Sequence, residues 1–266
     1  MAATGNERFV RPVLEHFGTT PLRQIDQQAV DHAALLLYPR ATPATRNRQV
    51  YTVVSAILRK AGVETALKRP KGAAGRVRTE WMTKAQANAL LRAAWAKDAE
   101  FGIMLSFMLY TGARLGEALA LTTDLLDLEE RSAFFPRTKN DEPRTAYLPA
   151  VLVKDLANHP RGLSRKGERV FRFRKCGRLY TWWKDVNKSA KLPLDEKGQP
   201  EFTFHSLRHT WATWMRRYGG ADTKGLMATG AWRNRVSASR YQHAVVSEEA
   251  QRAELLPVHN AGEIAK

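Results

Sequence analysis

Apolar residues recur through the first 61 positions at intervals of three and four, the spacing that lines one face of a helix. The first such run is Glu7 to Phe17, with Pro12 marking a start or a kink. Asp26 is placed to cap Gln27 to Leu37, which stops before Pro39. Pro43 to Ala61 is the third run, striped by Val50, Val53, Val54, Ile57 and Leu58 and ended by Gly62. Farther on, Thr83 is placed to cap a helix through Trp95, with Leu90 and Leu91 inward. Phe101 to Tyr110 is apolar almost throughout, short for a bilayer span and apt for a buried helix, and Leu115 to Leu121 is similar.

From Leu128 to Pro149 the period shortens. Ser132 to Arg137 and Thr145 to Leu148 read as strands, and the turn chemistry between them, Thr138 to Arg144, predicts a β-hairpin. Helical spacing returns over Tyr180 to Ala190 and ends before Pro193, and Leu192 to Pro200 reads as a loop. A helix then starts near His205, runs through Trp211, Trp214 and Met215 to Tyr218, and is stopped by Gly219-Gly220. Ser247-Glu248-Glu249 opens a last helix through Leu256. The predicted class is mostly α with a small antiparallel sheet (α+β).

Charge changes the picture. The 266 residues carry a formal net charge of +17 and a sequence pI near 10.3, an excess that points to a polyanionic partner, nucleic acid before membrane. No apolar run approaches the ~20 residues of a bilayer span, and the N-terminus lacks the apolar centre of a secretion signal. A single cysteine, Cys176, excludes an internal disulfide and a thiolate zinc site, and suits a reducing compartment. Lys68 to Arg78, rich in Gly, Pro and positive charge, reads as a flexible basic linker, and a strap of that kind would let two DNA-binding units close around a duplex. Arg46, Arg48, Arg69, Lys71, Arg76, Arg172 and Arg174 are candidate backbone contacts. A solvated basic face explains Arg46 and Arg48 equally well. Between residues 160 and 191, arginines and lysines alternate with Phe171, Phe173, Tyr180, Trp182 and Trp183, which serve either to track DNA or as a core inside a charged shell.

Three stretches carry candidate chemistry. Phe204-His205-Ser206-Leu207-Arg208-His209-Thr210 places a histidine and an arginine three apart, able to grip one small anion from one helix face. Tyr110-Thr111-Gly112-Ala113-Arg114-Leu115-Gly116-Glu117 reads as a glycine-marked break and a new helix start, with an arginine at the N-terminus and an acid one turn on. Arg114 at the edge of a core needs an anion, either an external one or Glu117 or Asp124. Arg240-Tyr241 follows Trp232 by nine positions (241 − 232) and supplies a candidate nucleophile.

The TGxRxxE pattern, the HxLRH pattern and the tyrosine after Gly230-Ala231-Trp232 together resemble the tyrosine recombinases, or phage-type integrases, over roughly residues 80–245. The resemblance implies that Tyr241 attacks a DNA phosphate to form a 3′-phosphotyrosine, with Arg114 and Arg208 bracketing the non-bridging oxygens. It implies His205 as hydrogen-bond donor or proton-transfer group, Trp232 where many members have histidine, and Lys139 on the hairpin as general acid, ahead of Lys154 and Arg144. Glu117 would orient the others, while His209 and His243 would be structural. No metal, nucleotide or other cofactor is implied. The implied partners are double-stranded DNA, a homotetramer on paired sites and accessory DNA-bending or directionality factors. The implied place is the cytoplasm, at the nucleoid.

The corresponding layout is a helical core-type DNA-binding domain over 1–67, a basic linker over 68–79, a catalytic domain over 80–246 and a tail over 247–266, which packs on a neighbouring protomer or on its own domain. The arm-binding module of larger integrases looks absent or trimmed. Two rival readings share the fold: a DNA-binding regulator without catalysis, and a topoisomerase-like enzyme that relaxes supercoils.

Overall fold

This computed structural model describes residues 7–64, 66–75, 80–136 and 143–241. The α+β expectation holds: among the described residues the chain is mostly helical with one small antiparallel sheet. It divides into two compact units, Met1–Arg78 and Thr79–Lys266.

The first unit contains α1 (Glu7–Phe17), α2 (Gln27–Leu37), α3 (Pro43–Arg46) and α4 (Thr52–Lys60). The Asp26 carboxylate accepts the Ala29 N–H at 2.9 Å and so starts α2. The predicted third helix is interrupted by a π-helical turn over Asn47–Tyr51. Arg46 enters this turn with its guanidinium donating to the carbonyls of Tyr38 at 3.0 Å and Pro39 at 2.7 Å. Val50, Val54 and Leu58 are buried with Val13, Ile25, Val30 and Ala33, while Val53 and Ile57 border that core. The strap corrects one expectation. Over 68–75 it lies on these helices: the Gln27 amide bridges both backbone groups of Lys68, Arg69 donates to Ser55 Oγ at 3.1 Å, and Asn47 donates to the Ala73 carbonyl. Polar backbone that finds side-chain partners in this way gains order that composition alone does not signal. Arg76 lies outside the described residues.

The second unit is built around α6 (Ala99–Thr111), of whose 13 residues 11 are buried. Asp98 caps α6 through the Phe101 N–H, and α5 (Lys84–Lys97) packs beside it behind a Thr83–Gln86 capping box. Next come α7 (Leu115–Ala120) and the strands β1 (Leu126–Asp127), β2 (Ser132–Phe135) and β3 (Arg144–Tyr147), paired antiparallel in that order. The register sets Ser132 opposite Tyr147 and Phe135 opposite Arg144. The tip of the hairpin, 137–142, lies outside the described residues, and Lys139 with it. There follow α8 (Ala150–Ala157), α9 (Gly177–Ser189), α10 (Phe204–Arg217), α11 (Thr223–Ala228) and α12 (Arg235–Ser239). The expected helix from Ser247 and His243 are also outside the described residues.

Within 160–191 the structure favours a core within a charged shell. Phe171 and Trp183 are buried, and Phe101 meets Phe173 and Trp182 edge-to-face at 5.4 and 5.6 Å. Arg172 is tied to Asp98 and to the fully buried Glu100, each at 2.6 Å, and Arg161 reaches Glu100 at 3.0 Å. α10 is anchored from behind, where Thr210 Oγ1 accepts the Met82 N–H at 2.9 Å and the Trp214 indole donates to the Met82 carbonyl at 3.1 Å. Among the described residues no helix is long and apolar enough to cross a membrane.

Candidate active site

The site begins at the break between α6 and α7. Gly112 ends α6 in the left-handed conformation, φ +63°, which only glycine adopts without strain. A side chain there would also collide with Trp211, since a Cβ would stand 2.3 Å from its Cε3. The missing side chain lets α10 lie against this turn, and the freed Gly112 carbonyl accepts from Arg208 Nη1 at 2.5 Å. The other terminal nitrogen donates to the Ala231 carbonyl. Ala231 follows Gly230, a second left-handed glycine (φ +69°) packed against Arg144, whose Cβ would stand 2.9 Å from an added one. Two glycine turns, 118 positions apart (230 − 112), thus present the two carbonyls that fix one guanidinium. Arg208 is only 1% exposed. Burial, together with the charges of Arg114 and Arg144, pushes its pKa down to about 9, which leaves it cationic at neutral pH.

Arg114 stands at the start of α7 and is half-buried. Its backbone N–H and its guanidinium both meet the Glu117 carboxylate, at 3.0 and 2.6 Å. Arg144 meets the same carboxylate from the sheet at 2.9 Å, with its side chain 2% exposed. Burial raises the Glu117 pKa, but the Arg144 charge and the bonds from Arg114 and Arg144 outweigh that, and the carboxyl sits below its usual range. Of the two acids open to Arg114, Glu117 and Asp124, the structure pairs it with Glu117. Arg144, a weaker candidate than Lys139 for the general acid, is instead buried and held in an ion pair. Strand alternation carried the signal, since Arg144 shares its face with buried Ala146, and Thr145 and Tyr147 point out. Glu117→Ala is expected to lower stability by about 3–5 kcal/mol, because it strands a buried guanidinium; chemical denaturation measures it.

His205 and His209 rise from the first turns of α10 with rings edge-on at 4.7 Å. His205 is exposed and His209 half-buried. The Tyr241 hydroxyl lies 2.6 Å from His209 Nδ1. Its ring packs edge-on against Trp232 at 5.3 Å, and the residue is only 4% exposed. Trp232 in turn stacks on Trp211 at 5.7 Å and covers the Arg208 guanidinium at 4.3 Å. Core packing therefore accounts for much of what Trp232 does. Burial pushes the phenol up to about 12 against the opposing charges of Arg208 and Arg240, while burial, His205 and Arg208 push the His209 imidazole down to about 4.

One continuous series of contacts thus joins Arg114, Glu117 and Arg144, and another joins Arg208, Trp232, Tyr241, His209 and His205. The charges of Arg114 and Arg208 act on each other across the short gap between the two sets. His209, expected to be structural, stands with its ring against the tyrosine hydroxyl.

The family profile described as "Phage integrase family" matches residues 80–248, more than half of the chain. The chain belongs to the phage integrase family. It is similar to the integrase of Salmonella phage P22, 25% identical over 159 residues, a match spanning 53% of this chain and 38% of that protein. Among solved structures it is similar to the Tn1549 transposon integrase in complex with transposon right-end DNA, with a TM-score of 0.72, 16% identity and coverage of 96% of this chain and 92% of that one. It also resembles the XerH site-specific recombinase bound to palindromic difH substrate, with a TM-score of 0.65, 18% identity and coverage of 94% and 74%. At these identities the structural likeness establishes the fold of this integrase-family chain.

The candidate DNA contacts differ in how they are employed. Arg48, Arg69, Lys71 and Arg174 are exposed. The guanidinium of Arg46 is held by two carbonyls, and Arg172 is paired with two carboxylates.

Proposed function

We propose that this chain is a site-specific DNA recombinase, cleaving and rejoining double-stranded DNA through a 3′-phosphotyrosine on Tyr241. The observation that carries the reading is the continuous contact from Arg208 through Trp232 and Tyr241 to His209 and His205, residues drawn from separate stretches onto one site.

The Tyr241 oxygen attacks the scissile phosphorus, the bond to the 5′-oxygen breaks, and the phosphate remains on the tyrosine. Because phenoxide leaves about as readily as it attacks, a 5′-hydroxyl from a second duplex reverses the step without an outside energy source. Negative charge builds on the non-bridging oxygens in the transition state. Arg208, fixed from behind by two carbonyls, and Arg114, fixed by Glu117, meet that charge with guanidinium forks that match phosphate. The phenol, with its pKa raised to about 12, must be relieved of its proton as it attacks, and the charges of Arg208 and Arg240 favour the phenoxide that forms. His205, exposed at the start of α10, hydrogen-bonds the phosphate or assists that proton. Lys139 protonates the departing 5′-oxygen. Fixed guanidinium charge serves the role a metal would otherwise fill, so the reading needs neither metal nor nucleotide.

Strand exchange between two sites calls for four copies on paired DNA. The family's DNA-bound members and the exposed Arg48, Arg69, Lys71 and Arg174 support duplex DNA as partner. The test is to isolate DNA covalently held by the protein in cells carrying its natural element, and to sequence it. Wild type is expected to yield one recurring junction and Tyr241→Phe none; covalent DNA persisting in Tyr241→Phe would overturn the assignment.

A further inference from the structure

Resting on that reading, we infer that His209 is the positioning residue for the nucleophile: its Nδ1 accepts the hydrogen bond of the Tyr241 hydroxyl and fixes the phenol oxygen within the chain's own site. Tyr241 closes a short stretch with few restraints of its own, since α12 before it has only five residues. Its ring is held by apolar contact with Trp232 and by the small cluster of Trp211, Ala212, Leu226 and Ala231. Apolar contacts of this kind have little directionality, so they tolerate small shifts of the ring, and the oxygen moves with it. The 2.6 Å contact with His209 holds that oxygen, and a nucleophile needs such aim.

The position of His209 makes it a firm anchor. It lies on α10 next to Arg208, on a helix pinned by Thr210 and Trp214 to the chain at Met82. His209 therefore ties the phenol to the same rigid rod that carries the guanidinium. His205 and Tyr241 stand against its ring, and the charges of His205, Arg208, Arg240 and Glu80 act on it. Burial and the positive members of that set hold the imidazole neutral at physiological pH, so Nδ1 can accept. The phenol keeps its proton and donates. With the imidazole pushed down to about 4 and the phenol up to about 12, the resting pair keeps its proton on the phenol, and the 2.6 Å geometry assigns His209 the aiming of the oxygen.

The test uses the full chain with a nicked duplex that traps the covalent adduct, at saturating DNA. His209→Ala is expected to slow adduct formation by about 100-fold, the scale of a ~1 Å misplacement, with DNA affinity unchanged. His209→Asn, whose side-chain oxygen can stand where Nδ1 stands, is expected to recover most of the rate; a merely structural histidine would show no such rescue. In DNA-free protein, nitration of Tyr241 by tetranitromethane, mapped by mass spectrometry, is expected to rise in the alanine variant and to stay near wild type in the asparagine one. A wild-type adduct rate in a folded His209→Ala protein, or an asparagine variant as slow as alanine, would overturn the inference. No adduct from wild type itself would instead count against the proposed function.

Discussion

Exchanging Arg208 for lysine is expected to reduce strand cleavage by at least about 10²–10³-fold in single-turnover assays, the effect of removing one preorganised donor from a developing oxyanion. The reason is geometric. The guanidinium donates to two carbonyls, those of Gly112 and Ala231, and under the proposed mechanism its remaining N–H groups meet the phosphate. A lysine ammonium is a single point of charge and cannot span both carbonyls while also gripping two phosphate oxygens. Alanine at the same place removes both donors and is expected to cost stability as well, about 1–3 kcal/mol for each buried carbonyl left unpaired. Lysine should thus separate the catalytic loss from the structural one: cleavage falls steeply while the melting temperature falls less than in the alanine variant. A lysine variant that cleaves at the wild-type rate would remove Arg208 from the chemistry.

Gly112→Ala is expected to be the most disruptive small substitution in the second unit. It forces a Cβ into a left-handed residue, at roughly 1–2 kcal/mol, and drives that atom to 2.3 Å from the Trp211 ring, where overpacking adds about 1–3 kcal/mol. Trp211 carries Trp232 by stacking, and Trp232 covers Arg208 and meets Tyr241, so a displaced Trp211 disturbs every later contact. Gly116 is the control. It sits in α7 with nothing within 4 Å of an added Cβ and an ordinary backbone angle, so Gly116→Ala is expected to leave stability within a few tenths of a kcal/mol or to raise it. Thermal unfolding of both variants measures the difference, and equal melting temperatures would refute the account of Gly112.

Much of this was legible in the sequence because it lay in local patterns. Helix starts such as Asp26 and Thr83, the all-apolar α6 and the two strands of the hairpin each announce themselves within a few residues. The motifs around Arg114, His205 to Arg208 and Tyr241 were equally visible, since spacing along a helix or after a glycine turn fixes them locally. What stayed hidden depends on contact between distant stretches. Nothing near His209 signals that Tyr241, 32 positions later (241 − 209), will seat its hydroxyl on that ring. Strand alternation sets Arg144 on the buried face, but its partner Glu117 lies 27 positions upstream on α7, where nothing in the strand announces it. Arg172 looked like a DNA contact for the same reason: its two carboxylate partners, Asp98 and Glu100, lie more than 70 positions upstream (172 − 100 = 72). The strap at 68–75 was read as free because composition reports charge and glycine but does not report the Gln27 and Asn47 amides that receive it.

Under the proposed mechanism, side chains scattered from Arg114 to Tyr241 act on one DNA linkage, with the tyrosine as the attacking group. The most direct measurement traps the protein on a nicked duplex, digests the DNA with nuclease and the protein with protease, and locates the residual nucleotide by tandem mass spectrometry. A nucleotide joined through its 3′-phosphate to the Tyr241 hydroxyl, and to no other residue, is expected. A nucleotide on a different side chain, or one joined through a 5′-phosphate, would contradict it.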